Sequence, residues 1–284
     1  METSPDILYK YRPFDQYLLS MILSKKIYLS SPSQFNDPLD CIPLVLPHSY
    51  EIERCESILI RLYEINLSRE LDRIYKGYSI SQSVKEKFSN FARIKAEDTL
   101  IQNDLQGLIT GYEESIFTQL MKLFNPGIFC MAESYENILM WSHYAAQHQG
   151  VCLGYKTNKV KDEIHKVCYD EEKHKLLKLD ALLSWIEKSE HNLLTREYIE
   201  TCFLNKRKEW EYENEWRLIS NEGPGETYTE LELCEVYFGY KMNDKIKSML
   251  SREINSLYSN VDFYQMNRVD NSYSLNRGKY PLPD

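Results

Sequence analysis

Apolar and polar positions follow two periods along the chain, and the switches between them mark the elements. Ile7-Leu8-Tyr9-Lys10-Tyr11-Arg12 reads as a strand ended by Pro13. Phe14, Tyr17, Leu18, Met21 and Ile22 then fall at i, i+3, i+4, i+7 and i+8, one face of an amphipathic helix. Lys25 and Lys26 suit the C-terminal turn of that helix. A strand over 27–31 follows, stopped by Pro32, and Phe35-Asn36-Asp37-Pro38 has turn chemistry. The apolar run Ile128-Phe129-Cys130-Met131 predicts a buried strand. Next comes a helix with Ser134 at its cap and apolar groups on nearly every side, from Ile138 to Ala146. Gly150 stands where a left-handed residue would close that helix, and a strand resumes over 151–155.

Three more strands are expected near 211–220, 233–240 and 261–266, with a short one at Val167-Cys168-Tyr169. A helix should begin near Asn243. Between these elements, residues from about 50 to 124 and from about 171 to 205 interleave charged and apolar residues at helical spacing. They read as helical insertions in a single domain spanning 1–284, with a loose tail over 278–284. Strand-dense segments separated by helical filler indicate an α+β fold with a compact mixed or antiparallel sheet.

Composition narrows the picture only a little. With 43% hydrophobic and 27% charged residues, the 284-residue chain is ordinary for a globular protein. A net charge of −9 argues against a surface that coats nucleic acid generally. Seven cysteines without a CxxC pattern point to reduced, buried thiols in a cytoplasmic protein, and no long apolar run suggests a membrane partner. The histidines and cysteines show no metal-ligand spacing, so no metal is expected. Twenty-two tyrosines stand out, because Tyr offers flat area with a polar tip and suits clefts.

Period 2 over residues 211–217 would put Glu211, Glu213, Glu215 and Arg217 on one strand face, opposite Tyr212, Asn214 and Trp216. A solvated charged face accounts well for Glu211. It accounts less well for Glu215, which leads into Trp216 and Leu218-Ile219. Trp141, Ser142, His143, Tyr144 and His148 are polar-tipped groups on a helix that reads as buried, so they must find partners or line a cleft. His143 reads first as a hydrogen-bonded core histidine, and His148 as a charge partner for the helix end.

The segments LYKYR, YLSSPSQFNDPLD, LMWSHYAAQHQGVCLGY and KEWEYENEWRLI, in that order, resemble a widespread bacterial family catalogued as a domain of unknown function. The Glu-rich strand also looks like the catalytic-glutamate strand of ADP-ribosyltransferases. That resemblance implies NAD as co-substrate and a protein, nucleic acid, small molecule or water as acceptor. It also implies a role as a stress or phage-defence effector. Glu215 would be the catalytic carboxylate, stabilising the oxocarbenium-like ribose as nicotinamide leaves, with Glu213 as helper. Lys10 or Arg12 would replace the usual first-strand His or Arg, and Ser30, Ser31 and Ser134 are candidates for the serine seen in one branch.

One cleft should therefore gather Lys10, Tyr11, Arg12, Asn36, Asp37, Trp141, His143, Tyr144 and Glu215, with Arg12 or Lys10 as the cation beside Glu215. Two other classes fit the same residues. One is a nucleotide or RNA hydrolase using His143 with Glu213 or Glu215, with or without a metal. The other is a non-catalytic nucleotide-binding module.

Overall fold

The computed structural model describes residues 3–42, 52–74, 81–100, 118, 121, 125–174 and 196–282. Its centre is β1 (Ile7–Arg12), flanked by β3 (Gly127–Ala132) and β4 (Val151–Lys156). Eight strands form one sheet in the order β10-β9-β8-β4-β1-β3-β6-β5. Its further members are β5 (Ile164–Lys166), β6 (Glu215–Ser220), β8 (Glu232–Phe238), β9 (Asp262–Arg268) and β10 (Leu275–Lys279). All neighbours are antiparallel except β8 and β9. That parallel pair is joined by the helix Asp244–Leu257, as a crossover requires. Two short strands, β2 (Ile27–Leu29) and β7 (Gly225–Thr227), make a separate ribbon. The result is a mixed α/β structure built on a large, mostly antiparallel sheet.

The helices, numbered in chain order among the described residues, are α1 (Gln16–Ser24), α2 (Ile52–Ile74), α3 (Gln82–Leu100), α4 (Ile138–Tyr144), α5 (Arg196–Phe203) and α6 (Asp244–Leu257). Asp15 caps α1 by accepting from the Leu18 N–H at 2.8 Å, and Asn243 caps α6 in the same way. Leu18, Met21 and Ile22 of α1 join Leu250 and Ile254 of α6 over Leu8, Met131, Leu153 and Val236 of the sheet. Burying each such side chain stabilises the fold by about 1.5–3 kcal/mol. On the opposite face lies a smaller, aromatic cluster with Tyr11, Trp141, Tyr237 and Met266 at its centre.

Several expected elements change. Residues 208–213 wind into a 3-10 turn, Asn214 is left-handed (φ 41°), and β6 begins only at Glu215. The expected strand over 211–220 is thus shorter, and the shared face of Glu211, Glu213, Glu215 and Arg217 is lost. Glu211 is exposed. α4 is capped by Asn137, whose side chain accepts from the Leu139 and Met140 N–H groups, rather than by Ser134. It stops at Tyr144 because Ala146, Gln147 and His148 turn left-handed. Gly150 is therefore not the left-handed closure. It is needed because a Cβ there would collide with the Arg12 carbonyl. The expected strand at 167–169 is displaced to β5, with Cys168 making an isolated bridge to Asn205. The tail is less loose than expected, since β10 runs through Lys279. Of the expected helical insertions, residues 50–51, 75–80, 101–117, 119–120, 122–124 and 175–195 lie outside the described residues.

Candidate functional site

β1 pairs with β4 along its whole length, from Ile7↔Lys156 to Arg12↔Val151, but meets β3 at one position, Tyr9↔Ala132. The sheet splits there. β3 is drawn instead toward Ser30, which exchanges backbone hydrogen bonds with Ile128 at 2.8 and 2.9 Å. Lys10 spans the opening, its Nζ donating to the Cys130 carbonyl at 2.8 Å. A side-chain ammonium thus satisfies an acceptor that a continuous ladder would have used.

The split opens into a cavity of about 260 Å³. Its β1 wall carries Tyr9, Lys10, Tyr11 and Arg12, and the 30–40 loop adds Ser30, Phe35 and Asn36. Across from these, Tyr144, Lys206, Glu213 and Glu215 form the floor. Burial pushes the pKa of the Lys10 ammonium below its usual value.

Beneath the floor lies a buried ionic cluster. Arg217 donates from Nε to Glu215 Oε1 at 2.8 Å and from an Nη to Asp40 Oδ2 at 2.7 Å. A further bond reaches Glu215 Oε2 at 3.1 Å, and the Phe203 carbonyl accepts at 2.7 Å. Lys206 Nζ donates to Glu213 Oε2 at 2.5 Å and Glu215 Oε2 at 2.8 Å, and sits 3.5 Å from Asp40. These five side chains are each no more than 5% exposed, so their charges interact with little solvent screening. Three carboxylates face two cations, which leaves the ionised cluster one negative charge in excess.

Phe35 covers the Arg217 guanidinium at 5.2 Å. Tyr169 supplies its hydroxyl oxygen to the Glu215 N–H at 3.0 Å. Tyr144 donates to Glu213 Oε1 at 2.6 Å and accepts from Asn36 at 3.0 Å, tying the loop to the floor.

The two glutamates are pushed apart electrostatically. Burial alone would raise Glu215, but Arg217 and Lys206 outweigh it and hold the carboxyl well below the usual range. Glu213 is moved up, first by burial and then by the charge of Glu215, with Lys206 pulling against both. Lys206 itself loses to burial, yet Glu215, Glu213 and Asp40 keep it well above its ordinary value. A carboxylate pair with divergent affinities for protons is a common arrangement of acid–base sites.

The structure brings Lys10, Tyr11, Arg12, Ser30, Asn36, Tyr144, Glu213 and Glu215 to this one cavity. It does not bring Asp37, Trp141 or His143 to its lining. Asp37 accepts from the Leu39 N–H at 2.9 Å and shapes the turn. Trp141 is fully buried, donates to the Tyr135 carbonyl at 2.7 Å, and packs edge-on against Tyr11, so it positions a cavity residue from behind. His143 is exposed beside Tyr212, because α4 turns its Met140–Trp141 face inward. Among the described histidines the buried one is His148, stacked on Trp141. Burial, then Lys241, lowers its pKa, which opposes the charge-partner role expected for it.

The cation beside Glu215 is neither Arg12 nor Lys10 but Lys206 together with Arg217. Asp40 and Lys206 carried no sequence signal that separated them from neighbouring charges. Arg217 did carry one: an arginine between Trp216 and Leu218 in a buried strand demands carboxylate partners. Among the described residues no group of three or more His, Cys, Asp or Glu is arranged to hold a metal ion, and no helix is long and apolar enough to cross a membrane.

No curated protein and no solved structure matches the chain, and no comparison confirms the likeness to ADP-ribosyltransferases. The comparison that does identify something concerns the family: residues 140–218, from α4 into β6, match the one described as Protein of unknown function (DUF2971), a domain-of-unknown-function family as the motif set implied.

Proposed function

We propose that this chain is an enzyme acting at the N-glycosidic bond of an NAD-type nucleotide, transferring ADP-ribose to an acceptor or to water. The observation that carries the reading is the polarity of one cavity, with Lys10 and Arg12 on its β1 wall and Glu213 and Glu215 on its floor. A nucleotide of this kind has the same polarity. Its diphosphate is anionic, and its ribose becomes positive as the C1′–N bond breaks and the electron pair leaves with nicotinamide. The acceptor then bonds to C1′ and releases its proton.

Glu213 is the carboxylate that acts on the sugar. Both glutamates have both oxygens engaged, but Glu213 is held by one cation and the Tyr144 hydroxyl, whereas Glu215 is held by the two cations Arg217 and Lys206; Glu215 therefore anchors the cluster and adds negative potential from below. Glu213→Gln removes the charge while keeping the shape. It should lower nicotinamide release from NAD by about 10²–10³-fold, as for the loss of one preorganised electrostatic group. Absence of release by the wild type, with water or any candidate acceptor, overturns the reading.

The saturation of Glu215 favours a second reading, a non-catalytic nucleotide-binding module. In that case NAD binds with measurable affinity and is recovered intact.

A further inference from the structure

Arg12 faces two cavities. Besides the one over Glu213, it lines a larger hollow of about 600 Å³ between α1 and β2, and Ser30 and Gln34 also border both. The larger hollow presents the rings of Tyr17 and Tyr28, which are 64% and 44% exposed. Solvent covers these rings although Met21 and Ile27 sit beside them. Lys26 stands at the rim. Between the hollows, Arg12 Nε is buried and has no hydrogen-bond partner among the described residues. The guanidinium's contact with a carboxylate is long, 4.0 Å to Asp15, whose other duty is to cap α1. A buried N–H without an acceptor is costly, and an anion lying between the two cavities would satisfy it.

We propose that the two cavities form one binding groove for a nucleoside diphosphate esterified to a second sugar. Its diphosphate lies on Arg12, and its base stacks on Tyr28 and Tyr17 in the larger hollow. The sugar on the far phosphate reaches Glu213. This assignment rests on the function proposed above for the order of the groups, but the base subsite stands on its own geometry. Every nucleobase has a flat π-face, so exposed tyrosine rings beside a cation accept one without base-specific bonds. The arrangement predicts that the half of the ligand remote from the reacting bond contributes much of the affinity.

The test compares ADP-ribose with ribose 5-phosphate by titration calorimetry, using wild type and the variants Tyr28→Ala and Tyr17→Ala. Both tyrosines are too exposed for their loss to endanger folding, and thermal melts check this. ADP-ribose should bind wild type at least ten times more tightly than ribose 5-phosphate. Tyr28→Ala should weaken ADP-ribose by about 10- to 100-fold, in line with loss of one stacked base, and leave ribose 5-phosphate unchanged. Equal binding of the two ligands, binding insensitive to both tyrosines, or no binding of either overturns the groove. If ADP-ribose binds through Tyr28 while NAD is never cleaved, the groove stands and the catalytic reading falls. If NAD is cleaved but the tyrosine variants bind normally, the reverse holds.

Discussion

Arg217 and Arg12 stand on the same sheet and border the same ionic region, yet they are held in opposite ways. Arg217 is fully buried and directs its guanidinium at Glu215, Asp40, the Phe203 carbonyl and the Cys41 sulfur. Arg12 keeps its Nε buried without a hydrogen-bond partner among the described residues and reaches Asp15 only at 4.0 Å. Removing water from a guanidinium costs free energy that only well-placed acceptors repay. The floor supplies them from three separate segments, and the β1 wall does not. The difference separates a cluster that satisfies its own charges from a wall whose guanidinium the described residues pair only loosely.

The comparison breaks most sharply at Arg217. Arg217→Leu keeps bulk in the strand but strands Asp40 and Glu215 without their main partner. Chemical denaturation should show a loss of about 3–5 kcal/mol, the usual cost of unpairing a buried charge. A loss below 1 kcal/mol would mean that the floor is not a structural cluster.

Acid titration tests the same cluster without a cavity. Glu215 is held below its ordinary value of 4.5. It therefore stabilises the fold above that value and loses this contribution as pH falls below it toward the folded pKa. Glu213 is raised and works in the opposite sense, binding its proton more tightly in the fold as pH falls toward 4.5. Wild-type stability should hold down to about pH 4.5 and then drop, by up to roughly 1.4 kcal/mol per pH unit for this one proton. Glu215→Gln should flatten that drop. Identical acid limbs in the two proteins would deny Glu215 its low folded pKa.

Tyr144→Phe probes the seam between floor and loop. It deletes the bonds to Glu213 and Asn36 without leaving a hole, and an intermediate loss of about 1 kcal/mol is expected. The smallest effect is reserved for the wall. Arg12→Gln should change stability by no more than about 0.5 kcal/mol, because it breaks no short bond among the described residues, while weakening any anionic ligand. A large destabilisation would show that Arg12 belongs with Arg217 after all.

Part of this contrast was readable beforehand. The strands at β1, β3, β4 and β8, and the helices α1 and α6, follow from periodicity and capping residues alone, because such signals act within one element. So did the approach of Lys10, Arg12, Asn36, Tyr144 and Glu215 to one place, since each interrupts an apolar run or ends an element. The 3-10 turn at 208–213 was hidden, because alternating Glu and aromatic residues satisfy a strand template until Asn214 takes its left-handed turn. The sequence by itself determined which segments must be buried and that Arg217 and Glu215, inside such a segment, needed partners. Only the tertiary structure decided which partners. Asp40 and Lys206 lie 177 and 11 positions from Arg217 in the chain. Their selection depends on where the 30–41 loop and the 204–206 segment come to rest against β6, a long-range packing outcome that no local pattern encodes. The split between β1 and β3 is of the same kind, since it exists only because Ser30 pairs with Ile128 and draws β3 away.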